Sequence, residues 1–288
     1  MRKSLRILIT LLIVAAAIAA GLWLWHYYLY TPWTRDGRVR ANVITIAPDV
    51  SGWVASLPVQ DNAAVHKGET LFTINDARYR TAVDKARAVV DQRQATLELK
   101  RHEQTRRQRL SNQAISDENQ EIARINTRVA EAELNQAKAD LASAELDLER
   151  TTVTAPVDGH ILNLHLNAGN YVTAGNPVMA LVESHSFYVT GYFEETKMPF
   201  IDLGDPAEIT LMSGDTRLQG HVAGIGRGIA NANTTANSEL LPQVQPTFNW
   251  VRLAQRIPVR IELDAIPDET LLSAGMTATV RILDDAKR

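Results

Sequence analysis

Apolar and polar positions alternate with different periods in different parts of the chain. Residues Ile7 to Trp25 form a 19-residue run without a charge. At ~1.5 Å per residue such a helix approaches the ~30 Å of a hydrocarbon layer. Trp23, Trp25, Tyr27, Tyr28, Tyr30 and Trp33 crowd its far end, where amphipathic rings settle at a membrane–water interface. A transmembrane anchor is therefore expected, with a cleaved secretory signal ending near Ala17-Ile18-Ala19 as the competing reading. Arg2, Lys3 and Arg6 precede the run and Arg35, Arg38 and Arg40 follow it. The positive-inside count is nearly tied, and the free α-amino group tips the N-terminus toward the cytoplasm.

Beyond the anchor, two distant segments carry one apolar pattern. With Gly52 and Gly159 as origins, Val54 matches Ile161, Leu57 matches Leu164 and Val59 matches Leu166. Further on, Val65 matches Val172, Gly68 matches Gly175, Leu71 matches Val178 and Ile74 matches Leu181. Apolar residues two apart read as one face of a strand. The four glycines Gly52, Gly68, Gly159 and Gly175 read as turn positions; those at 68 and 175, each before another short apolar run, call for positive φ. Each half is a set of short strands unable to bury its own apolar face, so two halves face to face predict one small β-sandwich.

Between the halves, residues 77–150 contain neither Pro nor Gly, the strongest helix breakers. A break at Ser111-Asn112, with Ser116 as N-cap of a second helix and Asp117, Glu118 and Glu121 in its first turn, predicts a helical hairpin. The second arm has one seam at Leu134, Ala137, Leu141, Ala144 and Leu148, and another at Ile122, Ile125, Val129, Ala132, Ala139 and Leu146. Val83, Ala86, Val90 and Leu97 give the first arm its own coiled-coil pattern. The first arm carries ten Lys/Arg against four Asp/Glu and the second four against nine, so charges of +6 and −5 face each other when the arms fold antiparallel. The second seam is free to meet a neighbouring subunit.

From Phe187 the period returns to two. Residues 187–193, 207–211, 217–225, 257–263 and 276–283 are strand-like, separated by turn signals, and predict a small β-barrel. Ala230 to Thr247, rich in Asn, Thr and Pro, reads as a long mobile loop. A strand around Arg38 to Ile46 is expected to join a membrane-proximal β-domain by pairing with the chain's end. The segments are then 1–34 (cytoplasmic tip and anchor), 35–45 (membrane-proximal strand), 46–76 and 151–184 (the two half-repeats), 77–150 (hairpin) and 185–288 (barrel and membrane-proximal β-domain).

Composition narrows the chemistry. The 288 residues hold no cysteine, which excludes disulfides and thiolate metal sites, and carry a formal net charge of −3, which gives no sign of a protein built to coat nucleic acid. The basic stretch Lys100 to Arg109 has no interleaved aromatics and faces an acidic arm, so it reads as a solvated helix face. His160 and His165 lack metal-ligand spacing. "GIGRG" (224–228) precedes no helix pattern, and Glu194-Glu195 point to opposite sides of a strand. Nothing in the sequence looks catalytic, and no cofactor or metal is expected.

The paired halves resemble the lipoyl/biotinyl carrier fold, in which a lysine on the hairpin between the halves accepts the cofactor. Here residues 77–150 fill that place, and neither Lys67 nor Lys85 sits in an acceptor context. A cofactor carrier is the remote alternative, and a structural coiled-coil or nucleic-acid-binding protein another. With "LPVQDNAAVHKGETLFTI" (57–74) and "TAPVDGHI" (154–161), the whole order resembles the periplasmic adaptor, or membrane-fusion, proteins of tripartite efflux pumps and hemolysin-type secretion systems. "YTPWTRDGRVRANVITIAPDVSGWV" (30–54), "SFYVTGYFEETKM" (186–198) and "NWVRLAQRIPVRIELD" (249–264) are most similar to the adaptor subunits of aromatic (p-hydroxybenzoic) carboxylic acid efflux pumps. The last motif is also similar to adaptors of major-facilitator multidrug pumps.

The resemblance implies an elongated, multi-domain α+β chain. Its parts would be one N-terminal transmembrane helix, a split lipoyl-like β-sandwich, an antiparallel α-helical coiled-coil hairpin and a small β-barrel. It implies a single-pass protein of a Gram-negative inner membrane, with its bulk in the periplasm. Its partners would be an inner-membrane transporter, of aromatic-acid-exporter or major-facilitator type, and a TolC-type outer-membrane channel. It implies a homo-oligomeric ring, trimeric or hexameric, and no nucleic acid. It also implies that the hairpin tip docks the channel through Arg106, Leu110 and Ser116, in "RRQRLSNQAIS".

Overall fold

The computed structural model describes residues 9–21, 31–110, 117–214, 217–229, 254–265 and 272–283. The chain divides into two compact units, Val43–Glu183 and the remainder on either side of it.

In the first unit, eight strands form two four-stranded sheets. β2 (Val43–Ile46), β3 (Gly52–Ser56), β4 (Ala64–Val65) and β5 (Thr70–Ile74) come from the first half-repeat. β6 (Thr152–Thr154), β7 (Gly159–Leu162), β8 (Tyr171–Val172) and β9 (Met179–Glu183) come from the second. One sheet runs β2-β9-β7-β4 and the other β6-β5-β3-β8. Adding four to every strand of the first order, cyclically, gives the second, so the halves are related by an internal pseudo-twofold and each sheet draws strands from both. Single hydrogen bonds repeat the symmetry. Gly68 N donates to Ala155 O and Gly175 N to Pro48 O, both at 2.8 Å. Asn62 N to Ile161 O and Gly169 N to Val54 O are likewise equivalent, both at 2.9 Å. Even the side-chain acceptors match: Asp158 Oδ1 takes Lys67 N and Ser51 Oγ takes Ala174 N, both at 2.8 Å. Val54, Leu71, Phe72 and Ile74 from one sheet meet Val65, Ile161, Met179 and Leu181 from the other in a single core.

Between β5 and β6 run two long helices, α2 (Ala77–Leu110) and α3 (Asp117–Glu149). Their 34 and 33 residues each reach about 50 Å at ~1.5 Å per residue.

In the second unit, six antiparallel strands close a barrel in the order β1-β10-β13-β12-β11-β14. These are β1 (Trp33–Arg40), β10 (Tyr188–Glu194), β11 (Pro206–Leu211), β12 (Arg217–Ile225), β13 (Arg256–Leu263) and β14 (Thr277–Ile282). Alternate residues point inward; Val39, Val189, Ile209, Val259, Ile261 and Val280 are wholly buried. A 3-10 turn at Glu195–Phe200 follows β10.

Three expectations change. The strand expected over 35–45 is two strands in different units. β1 closes the barrel, pairing with both β10 and β14, whereas β2 pairs with β9. The first half-repeat accordingly starts at Val43, not at 46. The barrel is not made of 185–288 alone, because its sixth strand precedes the repeat. Closure removes the sheet edges that five strands would expose. At the N-terminus, residues 9–21 form a helix, α1, with every side chain exposed. Among the described residues no helix is long and apolar enough to cross a membrane; residues 7–8 and 22–25 of the expected span lie outside them. The expected loop at 230–247 also lies outside them.

Candidate functional site

The helical hairpin occupies the place between half-repeats where a carrier fold presents its lysine, and its root is built into the two-sheet core. β5 and β6 are hydrogen-bonded neighbours, so the chain leaves and re-enters the sheet at adjacent points. Asn75 Oδ1 accepts Ala77 N at 3.1 Å. One carboxylate oxygen of Asp76 takes both Nε and Nη2 of Arg80, at 2.9 and 2.7 Å. The first contact satisfies one of the backbone donors that a helix N-terminus leaves orphaned, and the second is an i,i+4 ion pair that ties the first turn to the residue before it. Tyr79 packs in the sandwich core while its hydroxyl donates to Ser51 O at 2.7 Å. On the returning arm Leu148 packs against the same core. Buried Thr151 donates from Oγ1 to Leu148 O at 2.6 Å, and its carbonyl accepts Ile74 N at 2.8 Å. Arg150 pairs with Asp49. Both arms are thus fixed at the base, which gives the hairpin a set direction relative to the two-sheet body.

Along the hairpin the buried stripe of α3 runs Ala123, Thr127, Ala130, Leu134, Ala137, and continues half-buried through Leu141, Ala144 and Leu148. The facing stripe of α2 runs Tyr79, Val83, Ala86, Val90, Arg93, Leu97, Lys100, Gln104 and Arg107. Both keep alternate spacings of three and four, the signature of coiled-coil packing. Among the described residues of the seam beyond the root, Leu97, Ala130 and Leu134 form a small buried cluster, with Val90 against it. Beyond Leu97 the α2 side of the seam is polar, and Thr127 Oγ1 bonds to Lys100 O at 3.3 Å and Ala123 O at 3.0 Å.

The opposite charges on the arms meet as ion pairs: Arg93–Glu133 at 2.8 Å, Arg101–Glu131 at 3.3 Å and Arg87–Glu145 at 3.5 Å. Each is about half exposed, so each contributes ~0.2–1 kcal/mol and mainly sets register. Within α3, Glu121 holds the Arg124 guanidinium above its ordinary pKa, first by a 2.6 Å hydrogen bond and then by its charge. The basic stretch Lys100 to Arg109 is partly engaged: Lys100 pairs with Glu103 at 3.2 Å, and Arg107 donates to Asn119 O at 3.3 Å.

The sites expected from sequence fare unequally. Arg106 is exposed on α2; the side chain of Leu110 and all of Ser116 lie outside the described residues. The four glycines serve two purposes. Gly68 and Gly175 hold φ of +85° and +77° in open turns. Gly52 and Gly159 are not turn residues but open β3 and β7. A Cβ there would lie 2.6 Å from Ile74 Cγ2 and 2.2 Å from Val182 O respectively, so glycine is required by close approach of a neighbouring strand. The second seam of α3 is exposed at Ile122, Ile125, Val129 and Leu146, as are Trp53 and Tyr171, stacked edge to face at 5.2 Å on β3 and β8. Among the described residues no group of acidic or histidine side chains could hold a metal. The root contacts of Tyr79, Thr151 and Arg150 escaped sequence reasoning, because their partners lie in other strands.

The matches to known proteins follow this architecture. Residues 77–149 match the family model of the "pHBA AAEA subunit, alpha-helical hairpin domain". Residues 186–283 match that of the "AAEA-like beta-barrel domain". The Escherichia coli protein YdhJ, itself described as uncharacterized, is 42% identical over 280 residues, covering 97% of this chain and 98% of that one. The membrane fusion protein Spr0693 of Streptococcus pneumoniae superposes with a TM-score of 0.64 at 16% identity, over 88% of this chain and 99% of that one. MacA of Actinobacillus actinomycetemcomitans gives 0.60 at 18% identity, over 89% and 82%. At these identities the last two speak for the fold alone.

Proposed function

Because the chain belongs to the AAEA-type family of membrane-fusion, or periplasmic adaptor, proteins of efflux pumps, we propose that it joins an inner-membrane exporter of aromatic carboxylic acids to a TolC-type outer-membrane channel. It is an adaptor and not an enzyme, and the family places its bulk in the periplasm. Adaptors of this kind work with an inner-membrane transporter and an outer-membrane channel. The observation that carries the specific reading is the hairpin: its family model is that of the pHBA subunit, and its root is locked to the two-sheet body by Tyr79 and Thr151. A lever about 50 Å long with a fixed base suits reaching a distant channel.

Other parts of the reading have their own support. The uncharged helix over 9–21, with Ile9, Leu11, Leu12, Ile13 and Ile18 exposed, supports a single-pass inner-membrane anchor over Ile7 to Trp25. The exposed seam of α3 supports side-by-side packing of protomers in a trimeric or hexameric ring; cysteines at Val129 and its ring neighbours would cross-link between protomers if that packing holds. Arg106, Leu110 and Ser116 are the proposed channel-docking residues.

The test is genetic. Deleting the gene should raise sensitivity to 4-hydroxybenzoate and related aromatic acids only in cells that also carry the partner transporter. Sensitivity to unrelated drugs without sensitivity to aromatic acids would replace the exporter with a multidrug pump. Unchanged sensitivity across a broad compound panel would overturn the efflux reading.

A further inference from the structure

A cleft of about 740 Å3 lies on the barrel where β1 is distorted. Between Thr34 and Gly37 the pairing of β1 with β14 slips: Thr34 faces Val280 but Gly37 faces Ala278. One extra residue on β1 makes a bulge, a device that re-aims side chains. Thr34 pins it, donating from Oγ1 to Tyr192 O at 2.8 Å and accepting Asp36 N at 3.1 Å. Gly37 completes it, since a Cβ there would lie 2.6 Å from Ala278 O. The result turns Arg35 and Asp36 out of the ladder beside Trp33.

The charges around the cleft do not cancel. Four cations, Arg35, Arg38, Lys197 and Arg256, share it with two carboxylates, Asp36 and Glu194. Asp36 is taken by Arg256 at 2.5 Å, with Arg38 at 3.9 Å. The Lys197 side chain is only 11% exposed and has its carboxylate, Glu194, no closer than 3.9 Å; its other contact is Trp33 O at 3.2 Å. Arg35 has no ion pair among the described residues. Its guanidinium and the Lys197 ammonium lie 5.5 and 5.3 Å from the centroid of the Trp33 ring. Tyr192 and Phe200 add further aromatic wall. Under-neutralised cations on a partly desolvated surface favour an anion, and flat rings favour a flat partner. The volume falls within the ~300–1,000 Å3 of small-ligand sites.

We infer that this cleft binds a small aromatic carboxylate, its carboxylate on Arg35 and Lys197 and its ring against Trp33, so that the adaptor itself engages the exported anion. The choice of an aryl carboxylate over other small anions rests on the proposed function above; the cation excess and the aromatic walls do not.

Equilibrium dialysis of the full-length chain in detergent micelles against 4-hydroxybenzoate tests this. Saturable uptake of one acid per chain is expected, displaced by benzoate but not by phenol or by equimolar inorganic phosphate. Arg35→Gln and Trp33→Leu should each weaken uptake about tenfold or more, and Arg35→Lys should restore part of it. Glu118→Gln, far along the hairpin, should bind like wild type. Far-UV circular dichroism would check that the barrel variants stay folded. No saturable uptake by wild type, equal uptake by Arg35→Gln, or displacement by phosphate as readily as by benzoate would overturn the site. A chain that supports acid resistance in cells yet takes up no acid overturns this site and leaves the adaptor function standing. A chain that takes up the acid although its deletion changes no acid sensitivity keeps the site and overturns the exported substrate.

Discussion

Truncating Leu97 to alanine should loosen the outer half of the hairpin and nothing else. Leu97 is 2% exposed and forms the small buried cluster with Ala130 and Leu134. Beyond it, the α2 seam offers Lys100, Gln104 and Arg107, which bury little apolar surface. A core Leu→Ala change costs about 2–5 kcal/mol. A two-helix stalk has solvent on both flanks and relaxes easily, so the low end, about 2 kcal/mol, applies. At ~1.36 kcal/mol per factor of ten, the local opening constant of the outer arms should rise about thirtyfold. Native-state hydrogen exchange reads this directly. Amides of 98–108 and 118–130 should lose protection by about that factor. Amides near the root, at 80–86, and in the two sheets should be unchanged, because Tyr79 and Leu148 hold the base independently. Equal loss across hairpin and sheets, or no loss in the outer arms, would refute the view that Leu97 divides the hairpin into a fixed base and a weakly closed tip.

Other substitutions probe the remaining links. Arg93→Glu or Glu133→Arg alone should cost under about 1 kcal/mol, and the double swap should recover most of it at low salt, as measured by a double-mutant cycle in urea unfolding. Gly68→Asn should be nearly neutral because asparagine tolerates left-handed φ. Gly159→Ala should cost about 1–3 kcal/mol, because its Cβ meets Val182 O; equal unfolding midpoints would contradict the two separate roles. Tyr79→Phe keeps the buried ring but loses the bond to Ser51 O, so exchange at 77–83 should quicken by the equivalent of about 0.5–1.5 kcal/mol.

How much of this was legible beforehand follows from where each signal resides. The hairpin is written locally, in residues 77–150 without Pro or Gly, and α2 and α3 follow from that alone. The strands of the barrel's second part carry their own alternation; β12, read as 217–225, is observed at Arg217–Ile225. The half-repeat could be seen because two copies of a weak pattern reinforce each other. What stayed hidden depends on pairing across long separations. A strand before the repeat pairing with the chain's end was expected, and β1 does pair with β14, but that β2, only two residues further on, pairs with β9 instead is not in the sequence of 33–46. Nor is the bulge at Thr34–Gly37, which exists only relative to β14 and creates the cleft. Glycine was read as a turn signal throughout, and that failed at Gly52 and Gly159, where the reason is a neighbour's atoms and not the backbone's own φ.

The strand exchange between the two half-repeats also imposes an order on folding. Neither sheet can be completed until the second half has been synthesised, because each borrows strands from it. Closing residues 75–151 as a flexible loop would cost about 4 kcal/mol of chain entropy. Helices form in about a microsecond, far ahead of long-range β pairing. If α2 and α3 zip first, they bring the ends of β5 and β6 side by side before either sheet exists, and most of that entropy is already spent. The hairpin that reaches outward in the finished protein would then serve earlier as the clasp that lets the interrupted body close.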